Sequence, residues 1–201
     1  GSSSTDQVGA DAATVGGGTT RPMQRIGSTG IYALVTPTWD NNKGAVTLFD
    51  TTSASGLTGV LGASNSLVGN TAGDLVGKAY DPGTTGVNAN GVLFHDLSGG
   101  RFALYSAGWQ DASANAVGAL TWLTPASGAV GTISNSNSLT GGAGNPIFSS
   151  LGSGYYSLLS PGWNSGAGAV TVFQPASAPV GAISSSNSLV NGNASNGNGE
   201  L

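Results

Sequence analysis

The sequence predicts an all-β protein made of three repeats of a four-stranded antiparallel sheet, and three observations carry that prediction. The first is recurrence: Gly44-Ala45-Val46-Thr47-Leu48-Phe49 returns as Gly118-Ala119-Leu120-Thr121-Trp122-Leu123 and as Gly168-Ala169-Val170-Thr171-Val172-Phe173. Each copy is followed by Ser-Asn-Ser-Leu, at Ser64–Leu67, Ser136–Leu139 and Ser186–Leu189. Self-similarity at a spacing of roughly 50 to 70 residues marks a repeat architecture. The second is patterning, because the apolar runs are short and are cut by Gly, Asn and Ser, which is strand and turn chemistry. The third is composition: 35 residues are Gly, only 7% are charged, and the helix formers Lys and Glu are almost missing.

The elements follow in order from the third copy. A first strand is expected near Ile147–Leu151, a second at Tyr155–Ser160, a third at Gly168–Phe173 and a fourth near Val180–Ser184. The third strand carries β-branched and aromatic residues on both parities, as a strand covered on both faces would. The glycine that opens it recurs as Gly44, Gly118 and Gly168, where close backbone approach or a bulge is demanded. In copy two, Val92–Leu97 and Arg101–Trp109 match the first two runs, and in copy one Ile31–Trp39 matches the second. Loops after the tryptophans differ in length, which places them on one exposed rim. Asp74–Asn90 is a further long loop matched by Asp6–Thr20, and Asp6-Gln7-Val8-Gly9 parallels Asp74-Leu75-Val76-Gly77.

The 201 residues are therefore expected to form a single domain, with repeats at 6–73, 74–141 and 142–190 and a polar tail at 191–201. A β-propeller-like arrangement is expected, with a pseudo-threefold β-prism or β-trefoil as the alternative. Propellers close with about four to eight blades, so three units leave edges to be covered, and uncovered edges recruit other chains.

The succession of Trp loop, Gly-Ala-Val-x-x-Phe strand, Ser-Asn-Ser-Leu-Val-Gly and Gly-Asp-x-Val-Gly resembles the repeats of filamentous-haemagglutinin-like secreted bacterial proteins. It is more distantly similar to the FG-GAP repeats of integrin-type β-propellers. The resemblance covers almost the whole chain and implies a surface location with a role in adhesion or assembly. Integrin-type blades carry an Asp-rich calcium loop, whereas no Asp-x-Asp run occurs here; calcium binding is thus unsupported by a motif, and no cofactor is expected.

Several function classes are disfavoured by composition. A formal net charge of -4 with five scattered Lys and Arg offers no basic stripe for nucleic acid. No apolar run reaches the ~18 residues of a membrane span. With no Cys there is neither a disulfide framework nor a thiolate metal site. The start, Gly1-Ser2-Ser3-Ser4, shows no leader pattern, so a mature or excised fragment is expected.

Catalytic readings find little support. The sole histidine, His95, adjoins Asp96 in a predicted strand, but strand neighbours point to opposite faces. The carboxylates Asp6, Asp11, Asp40, Asp50, Asp74, Asp81, Asp96, Asp111 and Glu200 show no position common to all three copies; Asp6 and Asp74 read as loop caps and Asp81-Pro82-Gly83 as a turn. Gly16-Gly17-Gly18 follows no strand and opens no helix, so it gives no phosphate loop. Ser-Asn-Ser reads as a turn whose side chains cap backbone groups. No catalytic residue and no metal ligand is assigned, and the chain is not expected to be an enzyme.

The candidate ligand-binding residues are Trp39 with Asp40, Trp109 with Gln110, and Trp163 with Asn164. An aromatic ring beside a polar side chain suits a sugar face and its hydroxyls, and packing between sheets is the competing role; Trp122 is assigned to the core. The chain is accordingly expected to be an extracellular or cell-surface structural and adhesive module. Its partners would be further copies, neighbouring repeats of a longer chain, or surface glycans. A glycan-binding, lectin-like domain using the Trp loops is the alternative.

Overall fold

The structure is a computed structural model and describes residues 14–15, 18–19, 23–27, 30–52, 58–78, 94–124, 130–142 and 146–192. Asp6–Gly9, Asp11, Asp81, Glu200 and most of the loop after Lys78 lie outside the described residues. A short hairpin comes first, with β1 (Thr14–Val15) antiparallel to β2 (Gly18–Thr19), so a strand does precede Gly16, against the expectation from sequence.

Each repeat then builds its own antiparallel sheet. Copy one uses β3 (Met23–Ile26), β4 (Ile31–Thr36), β5 (Ala45–Asp50) and β6 (Leu67–Val68). Copy two uses β7 (Phe94–Leu97), β8 (Arg101–Ser106) and β9 (Ala119–Leu123), then supplies β10 (Gly131–Thr132) before its last strand β11 (Ser138–Thr140). Copy three uses β12 (Ile147–Gly152), β13 (Tyr155–Ser160) and β14 (Ala169–Phe173), then supplies β15 (Gly181–Ala182) before β16 (Leu189–Val190). The protein is all-β with three sheets for three repeats, and the expected strands at Tyr155–Ser160 and Ile147–Leu151 lie where the sequence places them.

The fourth strand is a correction. The segment near Val180–Ser184 does not complete its own sheet, because β15 lies parallel to β11 in the sheet of copy two. In the same way β10 of copy two lies parallel to β6 in the sheet of copy one. The true fourth strand comes from the end of Ser-Asn-Ser-Leu, so the first two sheets have five strands and the third has four. The order is β10-β6-β5-β4-β3, β15-β11-β9-β8-β7 and β12-β13-β14-β16.

Alternation of side chains gives each sheet a front face toward the preceding sheet and a back face toward the next. One core joins the back of sheet one, through Ala33, Val35, Val46 and Leu67, to the front of sheet two, through Phe102, Leu104, Leu123 and Ile133. A second joins the back of sheet two, through Leu97, Leu120 and Leu139, to the front of sheet three, through Tyr156, Leu158 and Phe173. No core cluster among the described residues joins sheets one and three. The sheets therefore pack face to face in a row, as propeller blades do, and no closed barrel is found among the described residues. A trefoil or prism would gather all three units on one shared core, and among the described residues two separate inter-sheet cores take its place.

The third strand departs from expectation in one copy. The front residues Ala169, Thr171 and Phe173 of β14 are buried, whereas Val172 on its back is 54% exposed. His95 and Asp96 point to opposite faces, with His95 stacked on Phe148 of sheet three at 4.4 Å between ring centroids. Burial holds the His95 imidazole below its ordinary value of 6.5.

The glycine opening the third strand is required sterically in copy one. Gly44 has φ +77°, and a Cβ there would lie 2.3 Å from the backbone N and O of Val76. Gly44→Ala is expected to cost about 3 kcal/mol or more, since left-handed strain of about 1–2 kcal/mol adds to that clash. Gly99→Ala, at φ +75° with nothing within 4 Å, carries the strain alone; urea denaturation of the two variants compares them, and equal losses would contradict the close approach. A second expectation concerns pH. The unfolded chain binds the His95 proton more tightly than the folded one, so stability is full above about pH 6.5 and falls as pH drops below it. Thermal midpoints from about pH 7.5 to about pH 5 should fall less in His95→Phe than in the parent, and parallel curves would contradict the assignment.

Candidate functional site: the strand-donating edge

The recurring Thr, Ser and Asn side chains come together at one place in every repeat. The Thr47 hydroxyl meets that of Ser66 at 2.6 Å, and Thr121–Ser138 and Thr171–Ser188 repeat the contact at 2.7 and 2.6 Å. The Ser hydroxyl donates to the neighbouring Asn Oδ1, at Asn65, Asn137 and Asn187; the Thr hydroxyl is then the donor to Ser. That Asn Oδ1 also accepts from the backbone N–H of Gly62, Ser134 or Ser184. Its Nδ2 donates to the carbonyl of Val60, Thr132 or Ala182 at 3.0 Å in each case. A relay thus runs from the third strand of a sheet, through the fourth, to the segment offered to the preceding sheet. The turn expected at Ser-Asn-Ser is present, and its side chains cap backbone groups.

Backbone bonds complete the transfer. Gly131 N–H donates to Ser66 O and Ile133 N–H to Val68 O, both at 3.0 Å, and Ile183 N–H donates to Thr140 O at 2.8 Å. Ile133 and Ile183 are buried in the two inter-sheet cores. The same segment of copy one, Gly59–Leu61, has the same shape: Gly59 has φ +103°, as does Gly131, and Gly181 has +97°. No strand pairs with it among the described residues, and Val60 is 72% exposed.

At the other end of the row, β16 receives no parallel strand among the described residues. Leu67 and Leu139 are 2% and 1% exposed, while Leu189, at the same repeat position, is 65% exposed. Leu97 is 7% exposed and its counterpart Leu151 56%.

The Trp loops lie near the repeat junctions. Trp39 and Trp109 are buried, packed in core clusters with Ala45 and Val68, and with Leu104 and Ile133. Neither indole N–H finds a protein acceptor among the described residues, so apolar packing holds these rings. Such rings have no free face to offer a sugar. Trp163 is half-buried and donates to Ile183 O at 3.1 Å. Trp122 is half-buried against Phe173 and donates to Pro179 O. Trp39–Asn42 and Trp163–Gly166 each make a single turn with left-handed residues inside, Asp40 and Asn41 in one and Asn164 and Ser165 in the other. Asp40 forms an ion pair with Lys43 at 2.9 Å. Gln110 is half-buried, and its Nε2 donates to Ala72 O.

Asp74 is the polar residue at this junction whose role the sequence only half discloses. It is fully buried; Oδ2 accepts from the amides of Asn70 and Thr71, which follow β6 of sheet one, and Oδ1 from that of Gln110, which follows β8 of sheet two. In the longer loop of copy two, Asp111 accepts from the amides of Asn115 and Ser113. The Asn115 amide is foremost in holding this exposed carboxyl below the usual range. A cleft of about 310 Å³ lies between the hairpin turns of sheets two and three, lined by Ser98, Arg101, Gly154 and Pro175, with Arg101 donating to Pro175 O. No group of three or more His, Asp or Glu side chains occurs among the described residues. No helix among them is long and apolar enough to cross a membrane.

A family model described as a repeat of unknown function (DUF5650) matches residues 26–78, 96–146 and 150–200. No curated protein and no solved structure matches the chain. Each matched segment runs from the early strands of a sheet past its Ser-Asn-Ser-Leu, so the relay residues of this chain lie inside the matched segments.

Asn137→Ala strands the Ser134 amide and the Thr132 carbonyl at a junction between sheets. It is expected to cost about 2 kcal/mol. Asn65→Ala, whose segment joins no preceding sheet among the described residues, should cost less, and denaturant unfolding of both variants makes the comparison.

Proposed function

The chain belongs to the DUF5650 repeat family, and from that premise we propose that it is a structural and adhesive repeat module of the bacterial surface or secreted space. It acts by self-association or attachment rather than by catalysis. The observation that carries this reading is the use of the recurring polar residues. Thr121, Ser138 and Asn137, with their counterparts, hold strands and turns, and Asp74 holds backbone amides across a junction. What recurs is therefore a way of joining sheet to sheet, and strand addition of this kind also joins separate chains.

Composition supports the same reading. A surface with 7% charged residues, against about 25% in ordinary soluble domains, offers little repulsion between copies. The likeness to filamentous-haemagglutinin-like repeats, and more distantly to FG-GAP repeats, adds the bacterial exterior as the place. The glycan-binding alternative draws on Trp163 with Asn164, since Trp163 is the least buried of the three loop tryptophans.

Light scattering behind size exclusion, over a wide range of protein and salt concentration, tests the proposal. Molar mass is expected to rise with concentration and to change little with salt, while polysaccharide titration leaves Trp fluorescence unmoved. A strict monomer with a saturable fluorescence change would overturn the structural role and favour the lectin.

A further inference from the structure

The back of sheet three presents in the open the kind of face that sheets one and two bury inside the molecule. Its exposed residues include Ile147, Leu151, Tyr155, Val172 and Leu189, between 45% and 65% exposed. They project from strands that pair in register, Ile147 with Leu159 and Leu159 with Val170, so they share one face with Leu159 and Val170. No charged residue stands on that face. In sheets one and two the corresponding faces are buried: Val46 and Leu67 under sheet two, Leu97, Leu120 and Leu139 under sheet three.

The complementary surface is at the opposite end. The front of sheet one carries Met23, 49% exposed, and exposed Arg25, with half-buried Tyr32, Leu34 and Phe49; Tyr32 and Phe49 stack at 5.7 Å. Their counterparts in sheet two, Phe94, Phe102, Leu104 and Leu123, are the residues that pack on sheet one. Beside this face stands Gly59–Leu61, clamped by Asn65 as β10 is clamped by Asn137.

We propose that the occupant of the sheet-three face is a second copy of this chain, placed head to tail. Its Gly59 and Leu61 N–H groups donate to the carbonyls of Ser188 and Val190, as Gly131 and Ile133 donate to Ser66 and Val68. Its sheet-one front covers Leu151, Val172 and Leu189. The contact is heterologous, one surface on a different surface, and because sheets one and three share no core cluster among the described residues the series stays open and grows. The inference rests on the self-association reading and assigns to it a donor, an acceptor and a direction.

Two double variants at exposed positions separate these claims. Val172→Lys with Leu189→Lys blocks the tail, and Met23→Lys with Val60→Lys blocks the head. Circular dichroism and thermal unfolding check that each variant is folded. The full chain is expected to form an open series of masses in light scattering, while each variant alone loses every species above monomer. An equimolar mixture of the two should form a dimer and stop there, because only one intact head meets one intact tail. If the parent associates and the variants associate equally well, the proposed surfaces are wrong and self-association stands. A tail variant that abolishes association, beside a head variant that leaves a dimer intact, would show back-to-back pairing and overturn the head-to-tail arrangement. A parent that stays monomeric throughout overturns both.

Discussion

Gly131, Ile133 and Ile183 place their N–H groups on carbonyls of the preceding repeat's last strand, and the stack of sheets depends on this parallel addition. A two-residue strand cannot hold a register by itself, since it contributes few hydrogen bonds and little buried area. The Asn relay supplies what is missing. It fixes the donated segment to its own fourth strand through Asn137 or Asn187, and it ties that strand to the third through Thr–Ser contacts. Each isoleucine that follows a donated strand then enters a core between two sheets. Hydrogen bonding and apolar burial thus act at the same few residues, and each repeat completes its neighbour, the nearest-neighbour coupling expected of repeat proteins.

This economy decides how the repeated sequence is read. Recurrence of Thr, Ser and Asn has the look of a polar surface awaiting a ligand, yet Thr121 and Ser138 are 2% and 0% exposed. Buried hydroxyls are costly unless paired, and the pairing here is complete from Thr to Ser to Asn to carbonyl. Loop tryptophans likewise serve the junctions, with Trp39 and Trp109 turned inward. Chemistry shared by all copies is spent on joining sheets, and the surfaces left open are those that join sheets elsewhere in the chain.

Much of the fold was legible because strands long enough to alternate announce themselves. Tyr155–Ser160 alternates along its whole length and forms β13, and the glycine before each third strand marks a steric demand that Gly44 meets. The fourth strand is not legible because two residues carry no period, and because parallel addition to another repeat leaves no local mark. Burial of Trp39 and Trp109 was likewise open, since a ring in a turn gives no sign of which way it faces. Asp74 reads as a loop cap from its sequence, but its bond to the Gln110 amide, 36 residues away, has no sequence signal. Leu189 shows the limit most plainly: it stands in the same tetrapeptide as Leu67 and Leu139, and only the neighbouring sheet decides that they are buried and it is not.

Amide hydrogen exchange read residue by residue on the dilute protein tests the central claim most directly. The account predicts that Ile133 and Ile183 exchange only through global opening, like the amides of the long central strands, while Leu61 exchanges fast because no strand among the described residues receives it. Fast exchange at Ile133 and Ile183, equal to that at Leu61, would mean that the donated strands do not hold the repeats together, and would contradict the account.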